Sequence, residues 1–96
     1  MSGPEEHNQR RAHGLAVLVM DHLRERTAVG ETVTLWTLNA SLCDRFGLHG
    51  AKRRAQYATT RRVVASLEAA GMVSSVREWD KQKTRYQKRL WPCSVN

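Results

Sequence analysis

The stretch that decides the reading is RRAQYATTRRVVASLEAAGMV, residues 53–73. Thr60, Val63, Val64 and Leu67 recur at helical spacing, and Tyr57 continues that row toward the N-terminus, so the segment predicts a helix with one apolar face. Arg54, Ala58, Arg61 and Arg62 cluster opposite Val64 and Leu67. The helix is too charged to be only a core element and too apolar to be only a solvated one. Gly71 stops it through a left-handed C-cap, and MVSSVREW (72–79) then reads as a strand.

Outward from this helix, GLHG (47–50) is a turn, and the long helix runs from about Ala51 to about Ala70. Before the turn, ASLCDRF (40–46) predicts a short helix with Asn39 as its N-cap, Leu42 and Phe46 pointing inward, and Gly47 as its C-cap. ETVTLWTL (31–38) alternates and is rich in β-branched residues, which predicts a strand. AVGE (28–31) is a break. Ala12, Leu15, Ala16, Val19, His22 and Leu23 form one stripe of a first helix running from about His7 to about Thr27. Val17, Leu18 and Met20 fall off that stripe, so this helix is either well buried or packed on a partner subunit. Downstream, DKQKT (80–84) is a polar turn. RYQKRLW (85–91) is a second strand, with Tyr86 and Leu90 on one side and Pro92 at its end. Trp79 and Trp91 are expected to face each other across this hairpin. An isolated hairpin is marginal in water, so strand 31–38 is expected to join it in a three-stranded sheet. Residues 1–6 are expected to be a disordered tail and residues 7–96 a single domain.

The predicted order is helix, strand, helix, turn, helix, strand, turn, strand. The fold class is α+β, mainly α: three helices plus a small antiparallel sheet with a basic β-hairpin wing, the winged helix-turn-helix plan. ATTRRVVASLEAAGMV (58–73) resembles the winged helix-turn-helix family of DNA-binding proteins, as in bacterial MarR-, PadR- and GntR-type regulators. The resemblance falls on Thr59, Arg62, Val63, Val64, Leu67, Glu68, Gly71 and Val73, with LWTLNASLCDRFG (35–47) similar to the preceding strand and positioning helix. It spans roughly residues 31–91. The chain departs from the family pattern between Gly47 and Thr59, where extra residues extend the recognition helix at its N-terminus.

Composition narrows the partner. The chain has 96 residues, 41% of them hydrophobic, and a formal net charge of +7, with a sequence pI near 10.3. A folded chain this basic points to a polyanion. No apolar run approaches the roughly 20 residues needed to span a bilayer, and MSGPEEHNQRR (1–11) lacks a signal-peptide plan. Cys43 and Cys93 have no CxxC companion and are expected as thiols in a cytoplasmic, bacterial, plasmid or phage context. His7, His13, His22 and His49 show no metal-ligand spacing, so no metal or cofactor is expected. Asp21, Asp44 and Asp80 have no matched carboxylates, and no phosphate loop or nucleophile motif occurs, so an enzyme is not expected. No small-molecule ligand is evident, and no membrane-facing stripe.

The resemblance implies a recognition helix over 51–70 in the major groove and a wing over 77–89 on the adjacent backbone or minor groove. The candidate DNA contacts are Lys52, Arg53, Arg54, Gln56, Thr59, Arg61 and Arg62 on the helix and Lys81, Lys83 and Arg85 at the hairpin. Arg54, Gln56 and Arg61 are the base-reading candidates, because arginine and glutamine can bond two base-edge atoms at once. Arg53 and Arg62 are assigned to phosphates, which take most contacts in such complexes. Lys88 and Arg89 continue the basic hairpin.

The function expected from these features is a double-stranded-DNA-binding protein, a small repressor-like transcriptional regulator. It is expected to dimerise through the first helix and the termini on inverted half-sites. Only a few residues follow the wing, so a minimal regulator without a ligand domain is expected. The competing expectation is a winged-helix scaffold subunit making protein–protein contacts in a nucleoprotein assembly. An RNA-binding module is disfavoured because exposed aromatics that stack splayed bases are not expected.

Overall fold

Thr34 and Thr37 set where the second helix begins. Thr34 Oγ1 accepts from the Thr37 amide at 3.1 Å, and Thr37 Oγ1 accepts from the Thr34 amide at 2.9 Å. This reciprocal capping box satisfies two amides that a helix start leaves open. The strand predicted over 31–38 is therefore cut to two residues. Leu35 and Leu38, predicted within that strand, instead join Leu42 on the buried face of a helix, and Leu42 points inward as predicted. Asn39, predicted as the N-cap, lies inside that helix and is buried.

The structure, a computed structural model, describes the backbone of residues 4–93 and the side chains of residues 13–93. Its elements are α1 (Pro4–Ala28), β1 (Val33–Thr34), α2 (Leu35–Phe46), α3 (Ala51–Ala69), β2 (Val73–Asp80) and β3 (Arg85–Pro92). This is the winged-helix topology: three helices, then a hairpin whose second strand pairs with β1. α1 begins at Pro4, three residues before the His7 start expected. The remainder of the expected tail, and the Ala12 side chain, lie outside what is described. Among the described residues, no helix is long and apolar enough to cross a membrane.

One core joins all six elements. α1 contributes Leu15, Val19, Met20 and Leu23; α2 contributes Leu35, Leu38 and Leu42; α3 contributes Val63, Val64 and Leu67; and the sheet contributes Val33, Val73 and Leu90. Met20, expected off the buried stripe of α1, is buried, and Leu18 packs on the core edge. α1 packs against both α3 and β3, so its buried sector is wider than one row. Phe46, expected to point inward, is 43% exposed: as the last residue of α2 it overhangs the core. Cys43 is buried and Cys93 half-buried, both as free thiols.

α2 and α3 are locked by a buried polar chain. The Thr60 hydroxyl donates to Asn39 Oδ1 at 2.9 Å, and Gln56 Nε2 donates to Thr60 Oγ1 at 3.2 Å. The turn between these helices starts at Gly47, whose φ of 66° is left-handed, as predicted, and the Leu48 amide returns to the Cys43 carbonyl at 2.9 Å. α3 ends as the sequence indicates. Ala70 is the cap, Gly71 follows at φ 76°, and the Met72 amide bonds the Leu67 carbonyl at 2.9 Å.

The sheet order is β1-β3-β2, antiparallel throughout. Pro92 closes β3 opposite Val73, beyond the reach of β1, which pairs only with Leu90 and Arg89. The hairpin register opposes Trp79 to Tyr86 and Ser74 to Trp91, so Trp79 and Trp91 do not face each other. Residues 81–84 form the turn, and this fixes Asp80 opposite Arg85 and shifts the pairing away from the expected one. Asp80 Oδ1 accepts from the Gln82 and Lys83 amides at 2.9 and 3.2 Å. Tyr86 and Leu90 share a face, as predicted, but Leu90 is buried and Tyr86 is exposed, because the hairpin runs out past the helices.

Asn39→Ala strands the buried Thr60 hydroxyl and is expected to cost about 1–3 kcal/mol, read as a lower denaturant midpoint at unchanged slope; an unshifted midpoint would remove the bond from the account. Burial, then the neighbouring Arg26 charge, holds the His22 imidazole below its ordinary 6.5, with Glu25 and Glu31 acting the other way. The unfolded chain therefore takes up the proton first. The stability contributed by neutral His22 is complete above the unfolded value and is lost as pH falls through the folded one. His22→Gln is expected to flatten the acid side of the Tm–pH profile, and parallel profiles for the two proteins would contradict this.

Candidate nucleic-acid interface

Because Thr60, Val63, Val64 and Leu67 fix one side of α3 in the core, the opposite side is forced into solvent. It carries Lys52, Arg54, Thr59, Arg61 and Arg62, with Ala51, Ala55 and Ala65 between the long side chains. The small residues keep the helix surface low, so that a partner can approach the backbone. Thr59 Oγ1 donates weakly back to the Ala55 carbonyl at 3.4 Å.

Two of the candidate contacts on α3 are engaged inside the chain. Arg53 Nη1 donates to Asp44 Oδ1 at 3.0 Å and to the Leu48 carbonyl at 3.3 Å. It braces the α2–α3 turn instead of projecting outward. Gln56 is half-buried and bonded to Thr60. In contrast, Lys52, Arg54, Arg61 and Arg62 make no ion pair with any described residue.

The hairpin divides in the same way. Lys88 is paired with Glu68 at the end of α3, and Arg89 Nη1 lies 3.2 Å from Glu78 Oε1. Lys81, Lys83 and Arg85 are exposed and form no ion pair with a described residue. Arg85 swings back toward the helices, its Cζ 5.5 Å from the ring centre of Trp36 on α2.

Sequence reasoning missed the aromatic residues here. Trp36, Trp79 and Tyr86 are 56%, 52% and 55% exposed. The expectation that exposed aromatics are lacking is thus overturned. Trp36 was hidden by the strand reading of 31–38, and Tyr86 by the expected Trp79–Trp91 pairing. A turn confined to 81–84 is the signal that would have paired Trp79 with Tyr86. Trp36 is 6.2 Å from Tyr57, ring centre to ring centre, and Tyr57 itself packs on the core edge, in keeping with its predicted place. Two clefts of about 260 and 290 Å³ flank Trp36 and share it with Tyr57. Arg53 and Arg54 line the first, and Arg85, Tyr86 and Lys88 the second.

A cleft of about 590 Å³ lies elsewhere, between α1 and α2. Of its two arginines, Arg26 is already held by Glu25 and Glu31 at 3.3 and 3.2 Å, and Glu31 itself lines the cleft beside Arg45, so less positive charge gathers there than on α3 and the hairpin. The basic face of α3 and the hairpin is therefore the candidate site.

The chain matches no protein-family model, and no curated protein or solved structure matches it significantly. The partition of the arginines can be checked by stability alone. Arg53→Gln is expected to cost about 0.2–1 kcal/mol, the range for exposed pairs, whereas Arg61→Gln is expected to leave the melting curve in place. Equal effects from the two would show that Arg53 is no brace.

Proposed function

We propose that the chain is a double-stranded-DNA-binding protein, a small transcriptional regulator of repressor type and not an enzyme. α3 enters the major groove, and the β2–β3 wing lies on the adjacent backbone or minor groove. The observation that carries this reading is the row Arg54, Arg61 and Arg62 on the exposed side of α3, none of them ion-paired with a described residue, flanked by Lys81, Lys83 and Arg85 of the wing. A fold that pairs Arg53, Lys88 and Arg89 internally yet leaves these six cations without an acid partner among the described residues concentrates positive potential on one face, which favours a polyanion.

Within this reading Arg54 and Arg61 reach base edges, since each can give two parallel hydrogen bonds to guanine O6 and N7. Arg62, Lys52 and the wing lysines hold phosphates and set register. Arg53 and Gln56 act from behind by fixing the pitch of α3 against α2. The resemblance to MarR-, PadR- and GntR-type regulators supports the same assignment, and a homodimer through α1 is expected to read inverted half-sites about one helical turn apart.

Selection of bound sequences from a random duplex pool tests this directly. A palindromic site is expected, and no enrichment at all would favour a scaffold role. On the selected site, Arg61→Ala is expected to weaken binding by about 1–3 kcal/mol and to relax preference at one base pair. Lys83→Ala should instead weaken all sequences alike and reduce the salt slope by about one. With about six phosphates neutralised, log affinity should fall with log salt at a slope near −5; a flat titration would refute the electrostatic reading.

A further inference from the structure

We propose that the aromatic cleft between α2, α3 and the wing holds unpaired nucleobases of a DNA strand, beside the duplex bound by α3. The proposal rests on the duplex-binding reading and specifies the form of DNA that it prefers.

Three rings border this cleft from three different elements: Trp36 from α2, Tyr57 from α3 and Tyr86 from β3. Trp36 and Tyr86 each keep more than half of their surface in water. Each also has a guanidinium against its ring: Arg85 Cζ is 5.5 Å from the centre of Trp36, and Arg77 Cζ is 4.4 Å from the centre of Tyr86. Trp79 meets Tyr86 edge-on at 5.0 Å, with a 71° angle between ring planes, so Tyr86 is braced from the side. Rings braced in this way lose little freedom when a second planar group stacks on them.

Charge selects the occupant. No carboxylate lines either cleft beside Trp36. Arg54 lines one and Arg85 the other, and neither is paired with a described acid. A ligand that offers flat aromatic faces at intervals along a negatively charged backbone matches both features, and single-stranded nucleic acid is that ligand. Duplex DNA does not suffice, because stacked base pairs present their edges and hide their faces. Trp36 and Tyr57 also line the neighbouring cleft that Arg54 of α3 borders. A strand that leaves a duplex seated on α3 can therefore pass into the cleft.

The test compares three probes at one salt concentration: a blunt duplex, the same duplex with a short oligothymidine overhang at either end, and free oligothymidine. Tryptophan fluorescence and anisotropy report binding. The overhang is expected to tighten binding by about 5- to 100-fold and to quench tryptophan emission. In Trp36→Ala and in Tyr86→Ala, blunt and overhang probes should bind equally, whereas Trp36→Phe should keep most of the gain; far-ultraviolet circular dichroism shows that each variant is folded. Equal binding of blunt and overhang probes by the unaltered protein would overturn the cleft proposal and leave duplex binding standing. Tight binding of free oligothymidine without blunt-duplex binding would support the cleft and overturn the duplex reading. Failure of all three probes would overturn both.

Discussion

The hydrogen bond from Thr60 to Asn39 is the constraint on which the basic face depends. It is the buried polar link between α2 and α3, and both residues are almost wholly removed from water. Apolar packing of leucines and valines tolerates a small slide or rotation of one helix on another. A single donor–acceptor pair in a dry interior does not, because any slip leaves two polar groups unsatisfied. Gln56 extends the link by one turn toward the start of α3, and Arg53 ties the adjoining turn to Asp44. The rotation of α3 about its own axis is set in this way, and with it the direction in which Arg54, Arg61 and Arg62 point.

The sixteen Lys and Arg side chains are not equivalent, and the fold sorts them by where acids happen to sit. Glu68 at the end of α3 takes Lys88, Glu78 on β2 takes Arg89, Asp44 takes Arg53, and Glu25 with Glu31 takes Arg26. These pairs are mostly exposed and each adds little to stability. Their larger effect is to remove cations from some surfaces and leave them on others. What remains on the free side of α3 and at the wing is a positive surface whose self-repulsion a polyanion relieves.

The hairpin is longer than the helical layer it packs on. Its inner half places Val73 and Leu90 in the core, and its outer half continues the same face as Arg77, Trp79, Tyr86 and Lys88 with little helix above it. Alternation along a strand keeps apolar residues on one face whether or not a core is present to cover them. Large rings left uncovered at the outer half, beside Trp36 on the first turn of α2, make the concave aromatic surface next to the cations.

The helix–turn–helix–hairpin order, the buried face of α3, its glycine stop and the antiparallel hairpin are all legible along the chain. Each rests on local chemistry: periodicity, a left-handed cap, a polar turn. The remaining features depend on contacts between separate elements of the chain. Leu35 and Leu38 suit a strand or a helix, and the choice fell to the Thr34–Thr37 cap and to the core that receives those leucines. Arg53, Arg54, Arg61 and Arg62 are alike in sequence, and Asp44 nine residues before Arg53 separates the bracing arginine from the three left exposed. Tyr86 and Leu90 share one face by register, yet one is buried and the other exposed, because burial depends on how far the helices extend over the sheet. Pairing of charges and exposure of rings are properties of neighbours brought together by folding, and no spacing along the chain contains them.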